Sequence, residues 1–121
     1  MTLRLFSRYV LALLFVGAGL LHFVHPATYL AIMPPRLPQP LLLVYLSGVA
    51  ELLGGLGLLP ARTRRLAGWG LLALLVAVFP ANVYMALIHK QLHIPGWLAW
   101  GRLPLQLPLM WWVWYATLNE E

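Results

Sequence analysis

The chain has 121 residues, 62% of them hydrophobic and only 9% charged, with a mean hydropathy of +0.82. A soluble domain is nearer ~45–50% apolar and ~25% charged, so the polar residues are too few to coat a water-soluble fold and the apolar surface must face lipid. The absence of Cys excludes disulfides, thiol redox chemistry, Fe–S clusters and Cys-based zinc sites. The net charge of +5 sits at the edges of apolar runs and forms no basic, aromatic-laced face, which excludes nucleic acid as the partner.

Backbone polar groups in lipid must be satisfied internally, so each long apolar run reads as a helix. A span needs roughly 20 residues. Four runs qualify, at about 5–24, 41–59, 66–88 and 103–118, within one domain over 1–121. The expected fold is therefore an all-α, integral membrane four-helix bundle with a short proline-rich outer loop after the first span.

The first run, LFSRYVLALLFVGAGLLHFV, follows Arg4 and contains Arg8. It could be a signal peptide, but it continues past a typical apolar region and no small-x-small cleavage site follows. An uncleaved first span is the expectation. The loop after it, HPATYLAIMPPRLPQP, can open a short helix at Pro26 running through Met33, apolar enough to lie in the interface. Pro34, Pro35, Pro38 and Pro40 then forbid a continuous helix and favour an extended strap.

The second run, LLLVYLSGVAELLGGLGLL, contains Glu51 about ten residues in, which at ~1.5 Å per residue lies ~15 Å deep, near the bilayer middle. An ionisable group there is a functional candidate by default. It must find partners or stay protonated. Ser47, Gly48, Gly54 and Gly55 flank it by one turn, and such small residues let another helix approach closely. Glu51 should point into the bundle, either to lock the packing or to hold a polar ligand head or a proton.

The third run, LAGWGLLALLVAVFPANVYMALI, carries Pro80 and Asn82. Pro80 frees the carbonyl one turn earlier. Asn82 can staple the loosened backbone or bond a neighbouring helix. The loop HKQLHIPGWLAWG presents Trp97 and Trp100 to the headgroup belt.

The fourth run, LPLQLPLMWWVWYATL, is the least regular. Pro104 and Pro108 should kink its first turns. Arg102 and Gln106 stand beside them, Arg102 as a snorkelling anchor or as a group reaching inward toward Glu51 or an anionic head. Trp111, Trp112 and Trp114 read as packing and belt residues.

Five basic residues, Arg4, Arg8, Arg62, Arg64 and Arg65, lie at the N-terminus and second loop, against Arg36, Lys90 and Arg102 in the other loops. Positive-inside bias then places both termini in the cytoplasm; Glu120 and Glu121 contribute little. All four histidines fall near the outer face. His22 and His25, and His89 and His93, have spacings that can share a metal, and imidazole-only ligation suits copper, zinc or iron. Interfacial, hydrogen-bonded histidines are the simpler reading, and no metal site is assigned. No nucleotide loop, hydrolase elbow or zinc-protease motif is present, and no catalytic residue is assigned.

These residues together resemble the DoxX-like family of small membrane proteins over nearly the whole chain. The resemblance is carried by Phe15-Val-Gly17-Ala-Gly19-Leu-Leu-His22-Phe23, then Pro26, Tyr29 and Pro34-Pro35, then Ser47-Gly48-Val-Ala-Glu51-Leu-Leu-Gly54-Gly55-Leu-Gly57. Arg65, Phe79-Pro80-Ala-Asn82-Val-Tyr84-Met85 and Arg102-Leu103-Pro104-Leu105-Gln106 complete it. It implies a four-helix membrane bundle and little about activity. The family is named after a subunit of a thiosulfate:quinone oxidoreductase and includes an animal chaperone for nicotinic receptors. Cysteines suited to redox work occur in some members and are missing here.

The expected ligand-binding set is Glu51, His22, Asn82, Arg102, Gln106 and Tyr29. Two functions are carried forward. One is a non-enzymatic accessory or assembly subunit, working with membrane lipid and another membrane subunit or a second copy of itself. The other is a quinone- or small-molecule-binding redox subunit, in which Glu51 or His22 bonds a quinone carbonyl. Solute transport is a third, weaker reading.

Overall fold

A computed structural model describes residues 2–35 and 37–118; Arg36, Glu120 and Glu121, used above in the charge count, lie outside the described residues. Among the described residues the chain is all-helical: α1 Leu3–Val24, α2 Pro26–Ala31, α3 Pro40–Gly57, α4 Ala61–Leu87 and α5 Gly96–Thr117. Helices α1, α3 and α4 are long and apolar enough to cross a membrane.

Local chemistry sets the boundaries. Thr2 caps α1 by accepting from the Leu5 N–H at 3.1 Å, which satisfies one of the orphan donors of a helix start. Pro26 and Pro40 each open a helix, where a missing N–H costs nothing and φ is already helical. The short helix after α1 ends at Ala31, two residues before the expected Met33. Gln39, between the proline strap and α3, is left-handed at φ 51. The Thr63 hydroxyl donates to the Gly57 carbonyl at 2.7 Å, and Arg64 donates to Leu58 and Leu59 at 2.8 and 2.7 Å. Those donors meet carbonyls that the end of α3 leaves unpaired.

The fourth run departs from expectation. Its helix begins at Gly96, just after Pro95, rather than near Leu103, so Trp97 and Trp100 stand on helical turns instead of a loop. Pro104 and Pro108 consequently lie inside α5, not in its first turns. Their four-residue spacing means that the carbonyl relieved by Pro108 is that of Pro104. Interior prolines of this kind are tolerated when neighbouring elements re-satisfy the backbone.

The four long helices form a ring in the order α1, α3, α4, α5. Backbones approach only between neighbours; α1 and α4, like α3 and α5, lie across the middle from each other. At one end Arg8 donates to the Ala116 carbonyl at 2.8 Å and Arg4 to the Tyr115 carbonyl at 3.2 Å, with the Arg4 guanidinium 4.7 Å above the Tyr115 ring. The N-terminus of α1 thereby caps the C-terminus of α5, where cations also complement the helix dipole.

The interior is packed at both ends. Leu11, Phe15, Leu58, Leu71, Leu75, Val113 and Ala116 fill the arginine-rich end. Met85, Ala86 and Ala99, with Ile32, Leu92, Ile94 and Leu103, fill the other. Outside, large side chains such as Leu13, Leu53, Leu66 and Leu107 are two-thirds or more exposed, an apolar girdle far larger than water tolerates.

Candidate functional site

Between the two packed ends lies a chamber of about 410 Å³. Its chemistry starts with two glycines. A Cβ on Gly19 would stand 2.8 Å from the Gly48 carbonyl oxygen, and one on Gly48 would stand 2.7 Å from His22 Cβ. Only hydrogen atoms fit there, so α1 and α3 touch backbone to backbone. That approach brings His22 of α1 against Glu51 of α3.

His22 Nδ1 lies 2.8 Å from the Ala18 carbonyl oxygen. A carbonyl only accepts, so Nδ1 carries a proton. The same nitrogen is 3.5 Å from Glu51 Oε2, too far for a good hydrogen bond. Glu51 Oε2 is buried and has no hydrogen-bond partner among the described residues. Tyr29, from α2, stacks on the His22 imidazole with ring centroids 3.8 Å apart and planes 17° from parallel. In the neutral ring Nε2 is left as an acceptor.

The opposite half of the ring supplies Asn82 from α4 and Arg102 and Gln106 from α5. Arg102 Nη1 donates to the Met85 thioether at 3.4 Å, a weak acceptor that leaves most of the guanidinium's donor capacity unspent. Gln106 donates to the Leu75 carbonyl at 3.0 Å. That carbonyl precedes the one on Val76 that Pro80 leaves without its helical donor. Gln106 from the neighbouring helix therefore tends the loosened stretch, the task that the sequence pointed to for Asn82. The Asn82 amide lines the chamber and bonds no other described group.

All six residues named from the sequence line this one chamber, with apolar walls from residues such as Phe15, Val44 and Leu109. Glu51 and Arg102 share the chamber without an ion pair between them. Tyr29 senses both. Burial raises its phenol above the ordinary value of 10.0, the Glu51 charge raises it further, and the Arg102 charge opposes. Two lining residues carried no distinctive signal in the sequence. Ser47 was legible only as a small residue, and its hydroxyl donates to the Val44 carbonyl at 2.9 Å. Met33 follows α2 and closes the chamber with Tyr29 and Ile32.

The other histidines stay out. The His25 backbone N–H caps α1 on Leu21. His89 Nδ1 donates to the Ile94 carbonyl at 3.0 Å and stitches the loop before α5. His93 is exposed and left-handed at φ 58. Among the described residues no three His, Cys, Asp or Glu side chains gather as metal ligands would.

The chamber thus presents polar groups from two helix pairs, Glu51 and His22 on one and Asn82, Arg102 and Gln106 on the other, among apolar lining residues. Such a container can orient a molecule with polar atoms at two ends. No curated protein and no solved structure matches the chain. A family model described as a domain of unknown function matches residues 11–117, a stretch that takes in every one of the six polar wall residues. The chain belongs to that family, DUF8561.

Proposed function

We propose that this protein is a membrane-embedded small-molecule-binding protein whose chamber holds the head of a lipid-soluble ligand. The observation that carries the reading is the buried, unpartnered Glu51 Oε2 at the wall of a ~410 Å³ chamber. Ligand sites are mostly apolar concavities of ~300–1,000 Å³ with a few polar groups that fix orientation. An unpaired buried oxygen costs free energy that a bound donor recovers. A quinone or quinol head fits the arrangement. A quinol hydroxyl can donate to that oxygen, and a quinone carbonyl can accept from Glu51 when its carboxyl carries a proton; in either form the two oxygens sit at opposite ends of an apolar ring.

In this reading α5 completes four spans, and the DoxX-like resemblance describes the fold and ancestry. The arginine-rich end, with Arg4, Arg8, Arg62, Arg64 and Arg65, faces the cytoplasm of a bacterial inner membrane. The chamber then lies in the outer half.

Native mass spectrometry and lipid extraction of protein taken from membranes test the proposal. Wild type should carry a bound small molecule, a quinone in the favoured case. Glu51→Gln and Asn82→Leu should each lower its content about tenfold, as expected for losing one hydrogen bond to a buried polar group. Identical content in wild type and both variants would refute it.

An accessory role beside another membrane subunit is the second reading. It is favoured by Leu105, Leu107, Trp111 and Trp114, which crowd the outer surface of α5. The glycines Gly19, Gly48, Gly54 and Gly55, by contrast, are spent on contacts within the chain. Detergent pull-down with mass spectrometry tests this role; a chain that repeatedly purifies alone sinks it.

A further inference from the structure

A second cavity, of about 390 Å³, lies between α3 and α4. It shares Met33, Ser47, Val78 and Ala81 with the chamber wall, so the two spaces adjoin. Its character differs. Among the described residues the only polar side chain in its lining is Ser47, whose hydroxyl is spent on the Val44 carbonyl.

Small residues make the opening. Toward the arginine-rich end the two helices touch closely: a Cβ on Gly57 would meet Ala67 Cβ at 2.9 Å, and one on Gly54 would strike the Leu71 side chain. Farther along, Ala50 of α3 and Ala77 and Ala81 of α4 line the groove with short side chains. Leu46 and Ala50 are exposed on the outer surface, so the groove opens sideways toward lipid.

We propose that the ligand is a single-tailed amphiphile that enters sideways from the bilayer between α3 and α4. Its polar head lies in the chamber and its apolar chain lies in the groove. The proposal rests on the chamber being a ligand site and adds the ligand class and the route. Among the described residues, a chain leaving the chamber here meets apolar side chains and the already bonded Ser47 hydroxyl. A head stopping short of the chamber would strand its polar atoms in the same wall, which costs free energy when no partner is at hand.

The probe is decylbenzoquinone bearing a photoreactive diazirine, in one version on the ring and in the other at mid-chain. The full chain is reconstituted in lipid nanodiscs and the labelled residues are read by mass spectrometry. The ring version should label chamber residues such as Tyr29, and the mid-chain version Leu46 or Leu74. Filling the groove by Ala50→Trp, or from the other helix by Ala77→Phe, should weaken decylbenzoquinone about tenfold. Chainless benzoquinone should label the chamber as in wild type, which also shows that the variants fold. Leu53→Trp, on the exposed side of α3, should change neither.

Ring labelling in the chamber with mid-chain labelling spread over lipid-facing leucines, or confined to the α1–α5 or α4–α5 seams, overturns the side entrance and leaves the chamber reading intact. Ring labelling outside the chamber in wild type removes both. Groove labelling that appears only after a copurifying protein is stripped away overturns the proposal in favour of a partner helix in the groove.

Discussion

Gly48→Ala tests the contact that builds the site. The added methyl would stand 2.7 Å from His22 Cβ, 3.0 Å from Phe23 Cε2 and 3.2 Å from the Gly19 carbonyl oxygen. Carbon atoms in contact prefer ~3.5–4.0 Å, so α1 and α3 must separate by roughly 1 Å. Overpacking of this kind costs ~1–3 kcal/mol. Replacing Gly by Ala in a helix returns ~0.5–1 kcal/mol. The net expectation is a loss of about 0–2.5 kcal/mol in stability. The site should be perturbed along with the fold. His22 and Glu51 are already 3.5 Å apart, and a further ångström rules out a hydrogen bond between them and misplaces one wall of the chamber. Ligand content should fall about tenfold, equivalent to ~1.4 kcal/mol. Gly17→Ala is the matched control, on the same helix with nothing within 4 Å of the new Cβ. It should be neutral or stabilising by up to ~1 kcal/mol. Thermal unfolding in detergent, followed by circular dichroism, reads stability, and mass spectrometry reads ligand content. If Gly48→Ala is as stable as Gly17→Ala and keeps its ligand, close approach at Gly48 is not what joins His22 to Glu51.

Three further outcomes are expected. Arg8→Met should lower the thermal midpoint, because it leaves the Ala116 carbonyl without its 2.8 Å donor; a buried acceptor left unmet costs ~1–3 kcal/mol. An unchanged midpoint would mean that water or another group replaces the guanidinium at no cost. Tyr29 should ionise above its ordinary 10.0, since burial first and the Glu51 charge second disfavour the phenolate. Its contribution to stability is fully present below pH 10.0 and is lost as pH rises through the raised value. The ultraviolet difference titration of wild type against Tyr29→Phe measures this, and a midpoint at or below the ordinary value contradicts the placement of Tyr29. The absence of Cys allows single-cysteine topology mapping: Arg62→Cys should be shielded from an impermeant maleimide in intact cells, and Gln91→Cys should react. The reverse pattern would invert the orientation.

Much of this protein could be read along the chain, and the parts that could not share a cause. Long apolar runs and the prolines that punctuate them act locally, so helix identity and most boundaries were accessible, as at Pro26 and Pro40. Glu51, Asn82 and Gln106 stood out because polar groups inside apolar runs are costly. The start of α5 was missed because Gly96 to Arg102 mixes Gly, Trp and Arg, which lowers hydropathy without interrupting the helix. Gln106 rather than Asn82 tends the backbone before Pro80, and which amide reaches that carbonyl depends on the facing helix. The arginines at positions 4 and 8 read as topology signals, and only the neighbouring chain end reveals them as caps for α5.

The opening inference from composition, long apolar helices set in lipid, followed from solvation alone and needed no knowledge of which helix touches which. Depth along each helix was likewise determined by the sequence, because rise per residue is constant. Lateral arrangement was decided by tertiary packing. The Gly19–Gly48 contact joins α1 to α3, and the Gly54–Leu71 contact joins α3 to α4 near the arginine-rich end. Contacts of this kind bring six scattered polar residues to one chamber, because which helix faces which depends on packing between distant parts of the chain.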